Sequence, residues 1–204
     1  MTLCLLVRHA AHDLLGRVLV GRSPGVPLSG AGRQQASRLG RTFQSSGQNA
    51  GISAVQSSPR LRAIQTASAI ATQCGLDVEV KPELDEIDFA DWNGRAFDEL
   101  SGNPEWNRWN AERSQARPPG GESMAEAQAR ILSHLSTVRT AGHCARIVMV
   151  THAEIIRAAA LHCMALPLDA WPQVDVAPAA TVHVRWPERE DRPRLQMDTG
   201  MAAA

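Results

Sequence analysis

Residues 3–9 read LCLLVRH and residues 147–152 read IVMVTH, two short apolar runs that each end on a histidine. Four or five Leu, Ile, Val or Met residues without polar alternation form the pattern of a strand covered on both faces. Around these two runs the chain alternates apolar segments with amphipathic ones, which predicts a layered α/β fold and not a bundle or a sheet sandwich. Further strands are expected at Ile52 to Gln56, Asp77 to Lys81 and Thr181 to Arg185, with an edge strand at Arg194 to Met197.

Four helices follow from local chemistry. One runs from about Ala31 to Gln44 and puts Ala36, Leu39, Gly40 and Phe43 on one face. A second is expected to start at Ser58 as N-cap with Pro59 in its first turn, to bury Ala63, Ala67, Ile70, Ala71 and Cys74, and to end before Gly75. A third opens on a capping box of Ser123 and Glu126, carries Ala127, Ile131, Leu135 and Val138 inward, and ends before Gly142. A fourth follows His152 and stops before Pro167. From about 90 to 122 the chain is rich in Pro, Gly, Trp and Asn; it is expected to be a lid-like excursion, too polar for a sheet. The charged Pro187 to Pro193 stretch and Ala202 to Ala204 are expected to be mobile. The expectation is a three-layer α/β/α sandwich with a mostly parallel, mixed-edge central sheet, in a single domain.

Composition limits the function. The chain has 204 residues, and 21 basic side chains balance 21 acidic ones, so no broad electrostatic grip on nucleic acid or an anionic membrane is available. Aromatic residues make up only 4%, which leaves no platform for stacking bases. Cys4, Cys74, Cys144 and Cys163 include no C-x-x-C pair and are expected as buried reduced thiols. The N-terminal apolar run stops at Arg8, too early for a signal peptide or a membrane span, so a cytoplasmic protein is expected. The apolar stripes are all used by one core and leave the oligomeric state open, a homo-oligomer included.

The chemistry-bearing residues cluster at predicted strand ends, where open α/β sheets form their ligand crevices. His9 and His152 follow the two most buried strands. Arg8 sits beside His9, and Arg62 lies in the first turns of the second helix, so both can meet an anion together with a helix N-terminus. The segment LDEIDFADWNG at 84–94 offers Asp85, Glu86, Asp88 and Asp91, one of which can serve as a proton donor. Zinc held by His9, His12 and Cys4 lacks a recognised ligand spacing, and no metal or cofactor is expected. No G-x-x-x-x-G-K-[ST] loop is present, which argues against a nucleotide-dependent kinase or NTPase.

Taken in order, RHA at 8–10, SPRLRAIQTA at 58–67, the 84–94 segment, PPGGES at 118–123 and VTHAEIIRA at 150–158 resemble the histidine phosphatase superfamily, also called the phosphoglycerate mutase-like family. The resemblance implies that His9 is a nucleophile that becomes transiently phosphorylated. It implies that Arg8, Arg62 and His152 clamp the phosphoryl group, and that Glu86 is the acid that protonates the leaving oxygen and later activates water. Many members have Gly after each active histidine, where this chain has Ala10 and Ala153, and Asn where it has Leu15. Arg17, Arg22 and His12 are candidates to replace that Asn.

Within the family, a mutase needs a longer lid carrying extra basic residues for a second anion. Here the segment between Glu86 and Gly120 has only Arg95, Arg108, Arg113 and Arg117, which favours a metal-independent phosphatase acting on a small phosphorylated metabolite. Arg113 stands where a substrate carboxylate or second phosphate would be met, and Trp106 and Trp109 either wall the pocket beside it or pack the lid on the core. The alternatives are phosphoglycerate mutase activity and a non-catalytic phospho-ligand-binding regulator on the same scaffold. Sugar phosphates, nucleotide-derived phosphates, cobalamin-precursor phosphates and phosphoproteins all remain open as substrates.

Overall fold

The computed structural model describes residues 2–45, 51–141, 146–186 and 193–197. In chain order the elements are β1 (Leu3–Arg8), β2 (Val18–Leu19), α1 (Gly30–Ser45), β3 (Ile52–Ser57), α2 (Leu61–Cys74), β4 (Val78–Val80) and β5 (Arg95–Ala96). They continue with α3 (Phe97–Ser101), α4 (Pro104–Ala111), α5 (Met124–Ala141), β6 (Arg146–Thr151), α6 (Ala153–Cys163), β7 (Thr181–Arg185) and β8 (Arg194–Met197).

Six strands form the central sheet in the order β4-β3-β6-β1-β7-β8. β4, β3, β6 and β1 are mutually parallel, while β7 pairs antiparallel with both β1 and β8. The sheet is therefore mostly parallel with a mixed edge, and β8 occupies that edge. The alternation of side chains along a strand divides the core in two. Leu3, Leu5 and Val7 of β1, with Val148 and Val150 of β6, pack against Leu39 and Phe43 of α1 and Ala67 and Ile70 of α2. Cys4 and Leu6, with Ile147 and Met149, face Ile131 and Leu135 of α5 and Ile155 and Ile156 of α6. Both central strands are buried on two faces because helices cover each side, as their unbroken apolar sequences require.

Several local expectations need correction. α2 starts at Leu61 with Arg60 as its N-cap residue, and not at Ser58. Ser58 stays tied to the sheet through its N–H, which donates to the Val150 carbonyl at 2.9 Å, and its hydroxyl is engaged by His152 and Asp85. β4 is shorter than expected at both ends. Cys74 and Cys163 are half-buried, whereas Cys4 is fully buried; Cys144 lies outside the described residues, as do 187–192 and 202–204. The segment read as too polar for a sheet contributes β5, which pairs with β2, and then two helices. Buried Trp92, Leu100 and Trp109 pin this cover to the core on the α5/α6 side. Among the described residues, no helix is long and apolar enough to cross a membrane.

The capping box forms as its sequence dictates: the Ser123 hydroxyl accepts from the Glu126 N–H at 3.2 Å, and the Glu126 carboxylate accepts from the Ser123 N–H at 2.9 Å. Where α1 meets α2, the side chain that Gly40 lacks decides how closely they approach. A Cβ there would lie 2.5 Å from the Ala69 carbonyl oxygen. Gly40→Ala therefore sets a helix-propensity gain of about 1 kcal/mol against an overpacking cost of about 1–3 kcal/mol. Backbone oxygen cannot step aside as a side chain can, so urea denaturation should show net destabilisation; a stabilised variant would mean that the helices separate easily.

Candidate active site

The site is assembled by strand register. β1 and β6 are parallel neighbours with Arg8 opposite Thr151, so the residues after them leave the sheet side by side. The His9 N–H donates to the Thr151 carbonyl at 2.9 Å, and the His9 and His152 rings stand 5.2 Å apart. β3 flanks β6 on its other side, and the turn after it delivers Arg62 within the first turn of α2. α6 starts immediately after His152. Two helix N-termini thus point their positive ends toward the same sheet edge.

Hydrogen bonds fix the form of each imidazole. His9 Nδ1 lies 2.9 Å from the carbonyl oxygen of Ala10 and donates to it, so Nε2 carries the lone pair. That nitrogen faces the Nε–H of Arg62 at 3.2 Å. His152 has the opposite tautomer: its Nδ1 accepts from Arg62 Nη2 at 3.1 Å, and its Nε2–H donates to the Ser58 hydroxyl at 2.7 Å, which passes the bond to Asp85. Burial, and next the Arg62 charge, hold both imidazoles well below their ordinary pKa of 6.5. Both are neutral at physiological pH.

Arg62 is 2% exposed. Its Nη2 donates to the Gly21 carbonyl at 2.7 Å, in a turn at φ 48° where a Cβ would strike Asn93. Arg8 donates through Nη1 to the Val176 carbonyl. Neither guanidinium is satisfied: Arg8 Nε and Arg62 Nη1 are buried donors without a partner, and both side chains line one cavity with His9. A buried unpaired donor costs on the order of 1–3 kcal/mol, which an anion in the cavity would return.

Of the four acids, only Glu86 lines that cavity. Asp85 turns away and takes both Nε and Nη2 of Arg60 at 2.8 and 2.6 Å. Asp88 pairs with Arg22, and Asp91 is exposed. Glu86 holds the Ile87 N–H through Oε1 at 3.0 Å, and its Oε2 lies 3.9 Å from His152 Nδ1. Burial first, and Glu154 second, push its carboxyl up to about 7.

Glu86 sits on irregular chain, and arginines anchor that chain by its carbonyls. Arg22 Nε donates to the Glu86 carbonyl at 2.7 Å, while Arg130 Nη1 donates to the carbonyls of Glu83 and Asp85 at 2.7 and 2.9 Å. Glu122 pairs with both arginines. Arg22, expected to touch substrate, is thus placed outside the His9 cavity, in an adjoining cleft with Glu122 and Arg130. Arg17 is exposed and bonds to the Asp13 carbonyl. Of the candidates to replace the missing Asn, His12 is in the cavity, its ring 5.5 Å from that of His9. Burial holds His12 down at about 4. Leu15 lines the same cavity as an apolar wall.

The sequence reading gives no site role to Thr66, Glu122 or Arg130, and to Ser58 only that of a helix cap. Thr66 accepts the Ala10 N–H at 3.0 Å and donates to the Arg62 carbonyl at 2.8 Å, linking the chain just after β1 to the first turn of α2. Ser58, Thr66 and Glu122 all fall inside the motifs, where their presence was a signal. Arg130 stands on the polar side of an amphipathic helix, and nothing local distinguishes it. Among the described residues, no group of three or more His, Cys, Asp or Glu side chains could hold a metal ion.

A family model, the histidine phosphatase superfamily (branch 1), matches residues 4–199. Probable phosphoglycerate mutase GpmB of Salmonella newport (strain SL254) is 31% identical over 173 residues, which cover 82% of this chain and 76% of that protein. Among solved structures, Bacillus stearothermophilus YhfR superposes with a TM-score of 0.85 at 21% identity, over 97% of this chain and 96% of its own. Phosphoserine phosphatase from Entamoeba histolytica gives 0.81 at 22% identity, over 98% of each chain. At these identities the two structures bear on the fold alone.

The raised pKa of Glu86 also has a stability consequence. Its folded value of about 7 lies above 4.5, so the folded state holds this proton more tightly and stability falls as pH rises between the two values. Glu86→Gln removes the ionisation. Thermal unfolding should show the variant more stable than the parent at pH 8, with the gap closing by pH 5; a constant gap would place the ionised carboxylate in a well-solvated setting.

Proposed function

The chain belongs to the histidine phosphatase superfamily (branch 1), and from that premise we propose that it is a phosphomonoesterase working through a phosphohistidine without a metal ion. The observation that carries this reading is the pair of unsatisfied buried guanidiniums beside a neutral histidine whose Nδ1–H is tied to backbone. The substrate class is a small phosphorylated metabolite, and the compartment is the cytoplasm, which suits the free thiols of Cys4 and Cys74.

The reaction follows from these groups. The phosphate oxygens take the open N–H donors of Arg8 and Arg62, which neutralise charge spread over a loose transition state. His9 Nε2 gives its lone pair to phosphorus as the ester P–O bond breaks. Glu86 donates its proton to the departing oxygen, a role that its pKa of about 7 suits near neutrality. Water then attacks the phosphohistidine, the now ionised Glu86 takes its proton, and inorganic phosphate leaves with His9 restored. His152 acts through Arg62: its Nδ1 accepts from Arg62 Nη2, and its Nε2–H is fixed by Ser58 and Asp85, so it holds the guanidinium in place behind the phosphoryl site.

The name of the 31% identical relatives favours a second reading, mutase activity. The chemistry is shared up to the phosphohistidine, and the fate of that group separates the two. A mutase hands it to a second phosphate ester, and a phosphatase to water.

Hydrolysis of p-nitrophenyl phosphate in excess EDTA is expected for the parent, sensitive to vanadate and abolished in His9→Ala with the fold intact by circular dichroism. Retention of activity in His9→Ala would end the phosphohistidine reading; isomerisation of phosphoglycerate without net phosphate release would select the mutase. Glu86→Gln should slow alkyl phosphates by roughly 10²-fold or more, the usual range for a positioned acid, and p-nitrophenyl phosphate far less. For alkyl phosphates, kcat/KM should fall as pH rises through about 7, because the free enzyme loses the Glu86 proton there. Glu86→Gln should lose that limb. Equal slowing of good and poor leaving groups would assign the acid elsewhere.

A further inference from the structure

Resting on the phosphatase reading, we infer that the substrate is the phosphate ester of an uncharged alcohol with an apolar face, and that esters bearing a second anion are disfavoured. The carrying observation lies in the half of the cavity away from His9.

The cavity holds about 390 Å³, room for a phosphoryl group and a ring-sized leaving group. Beyond the phosphoryl end, its wall is made by Leu15, Val18 and Leu19 from the segment after β1 and by Phe97 and Trp106 from the cover. Trp106 is steadied edge-on by Trp92 at 5.4 Å and contacted by Phe97 at 6.0 Å, so these rings form a fixed surface.

The side chain that sequence suggests for a second anion is Arg113, and it is already engaged. It forms a buried ion pair with Glu154 and donates to Asn110 Oδ1 at 3.2 Å. Its guanidinium lies 3.9 Å from the Trp171 ring centre and 5.0 Å from that of Trp109. The other oxygen of Glu154 takes Arg157, whose Nε donates to the Val174 carbonyl at 2.9 Å. Burial would raise the Glu154 carboxyl, yet the two arginines hold it below its ordinary range, so it stays ionised near neutral pH.

Arg113 is therefore a staple between α4 and α6. For a carboxylate to take the edge of Arg113 that holds Glu154, Glu154 would have to lose that partner while buried, and a buried charge left unpaired is strongly disfavoured. A carboxylate that does not use it meets mainly aliphatic and aromatic walls, with Asn110 and Arg157, itself already paired with Glu154, as the polar lining, and loses much of its water.

The test compares kcat/KM for glycerol 3-phosphate and 3-phosphoglycerate, which differ in a hydroxymethyl against a carboxylate, and for 2-naphthyl phosphate. The expected order is 2-naphthyl phosphate first and 3-phosphoglycerate last, with glycerol 3-phosphate favoured over 3-phosphoglycerate by at least about tenfold. Trp106→Ala should cut kcat/KM for 2-naphthyl phosphate by about tenfold, chiefly through KM, and lower that for glycerol 3-phosphate by a smaller factor. Glu154→Gln, which keeps the shape and releases Arg113, should narrow the discrimination against 3-phosphoglycerate. Preference for 3-phosphoglycerate over glycerol 3-phosphate in the parent overturns this inference and leaves the phosphatase reading standing. Hydrolysis of none of these esters, nor of p-nitrophenyl phosphate, overturns both.

Discussion

The register between β1 and β6 is the constraint on which the site depends. With Arg8 opposite Thr151, the two parallel strands end together and set two histidines on the same edge of the sheet. A slip by one residue would turn Leu3, Leu5 and Val7 toward the wrong helices, so the split core on the two faces enforces the register. Packing that stabilises the fold thereby fixes the separation of the two imidazoles.

Burial then sets the electrostatics of that edge. Arg8 and Arg62 are drawn into the interior with donors unspent, and Glu86 is held close to the pH at which it changes charge. Each is a cost to the folded protein, the pattern found where stability is given up for a prepared site. Neutral His9 and His152 follow from the same burial and the same arginines, which disfavour a further positive charge. The two imidazoles use opposite tautomers because different neighbours claim their nitrogens: Ala10 carbonyl for His9, Arg62 and Ser58 for His152.

A second layer of arginines does structural work. The chain through Glu86 has no strand or long helix to hold it, so Arg22 and Arg130 bind its carbonyls and Glu122 neutralises them from behind. On the far wall, Glu154 ties Arg113 and Arg157 into the join between cover and core. Arg22 and Arg113, the two cations singled out for ligand binding, are thus bound within the protein, by Glu122 and Glu154, which lie 100 and 41 residues away along the chain.

The sequence by itself determined the layered fold, the strand ends that carry His9 and His152, the helix that carries Arg62, and the capping box at Ser123. These are local or periodic properties: apolar runs, 3.6-residue spacing and reciprocal caps act between residues close in the chain. Residue chemistry by itself left open which of Asp85, Glu86, Asp88 and Asp91 faces the histidines, because four acids on irregular chain have no period to sort them; the family resemblance singled out Glu86. Residue chemistry misjudged the start of α2, since the Ser58 hydroxyl was claimed by His152, a residue 94 positions away. Only the tertiary structure decided that Arg22 anchors backbone, that Arg113 is stapled by Glu154, and that β2 and β5 pair within a segment that looked too polar for a sheet. The reason is physical: the fate of a buried charge depends on which opposite charge reaches it first, and such partners are brought together by folding and not by sequence spacing.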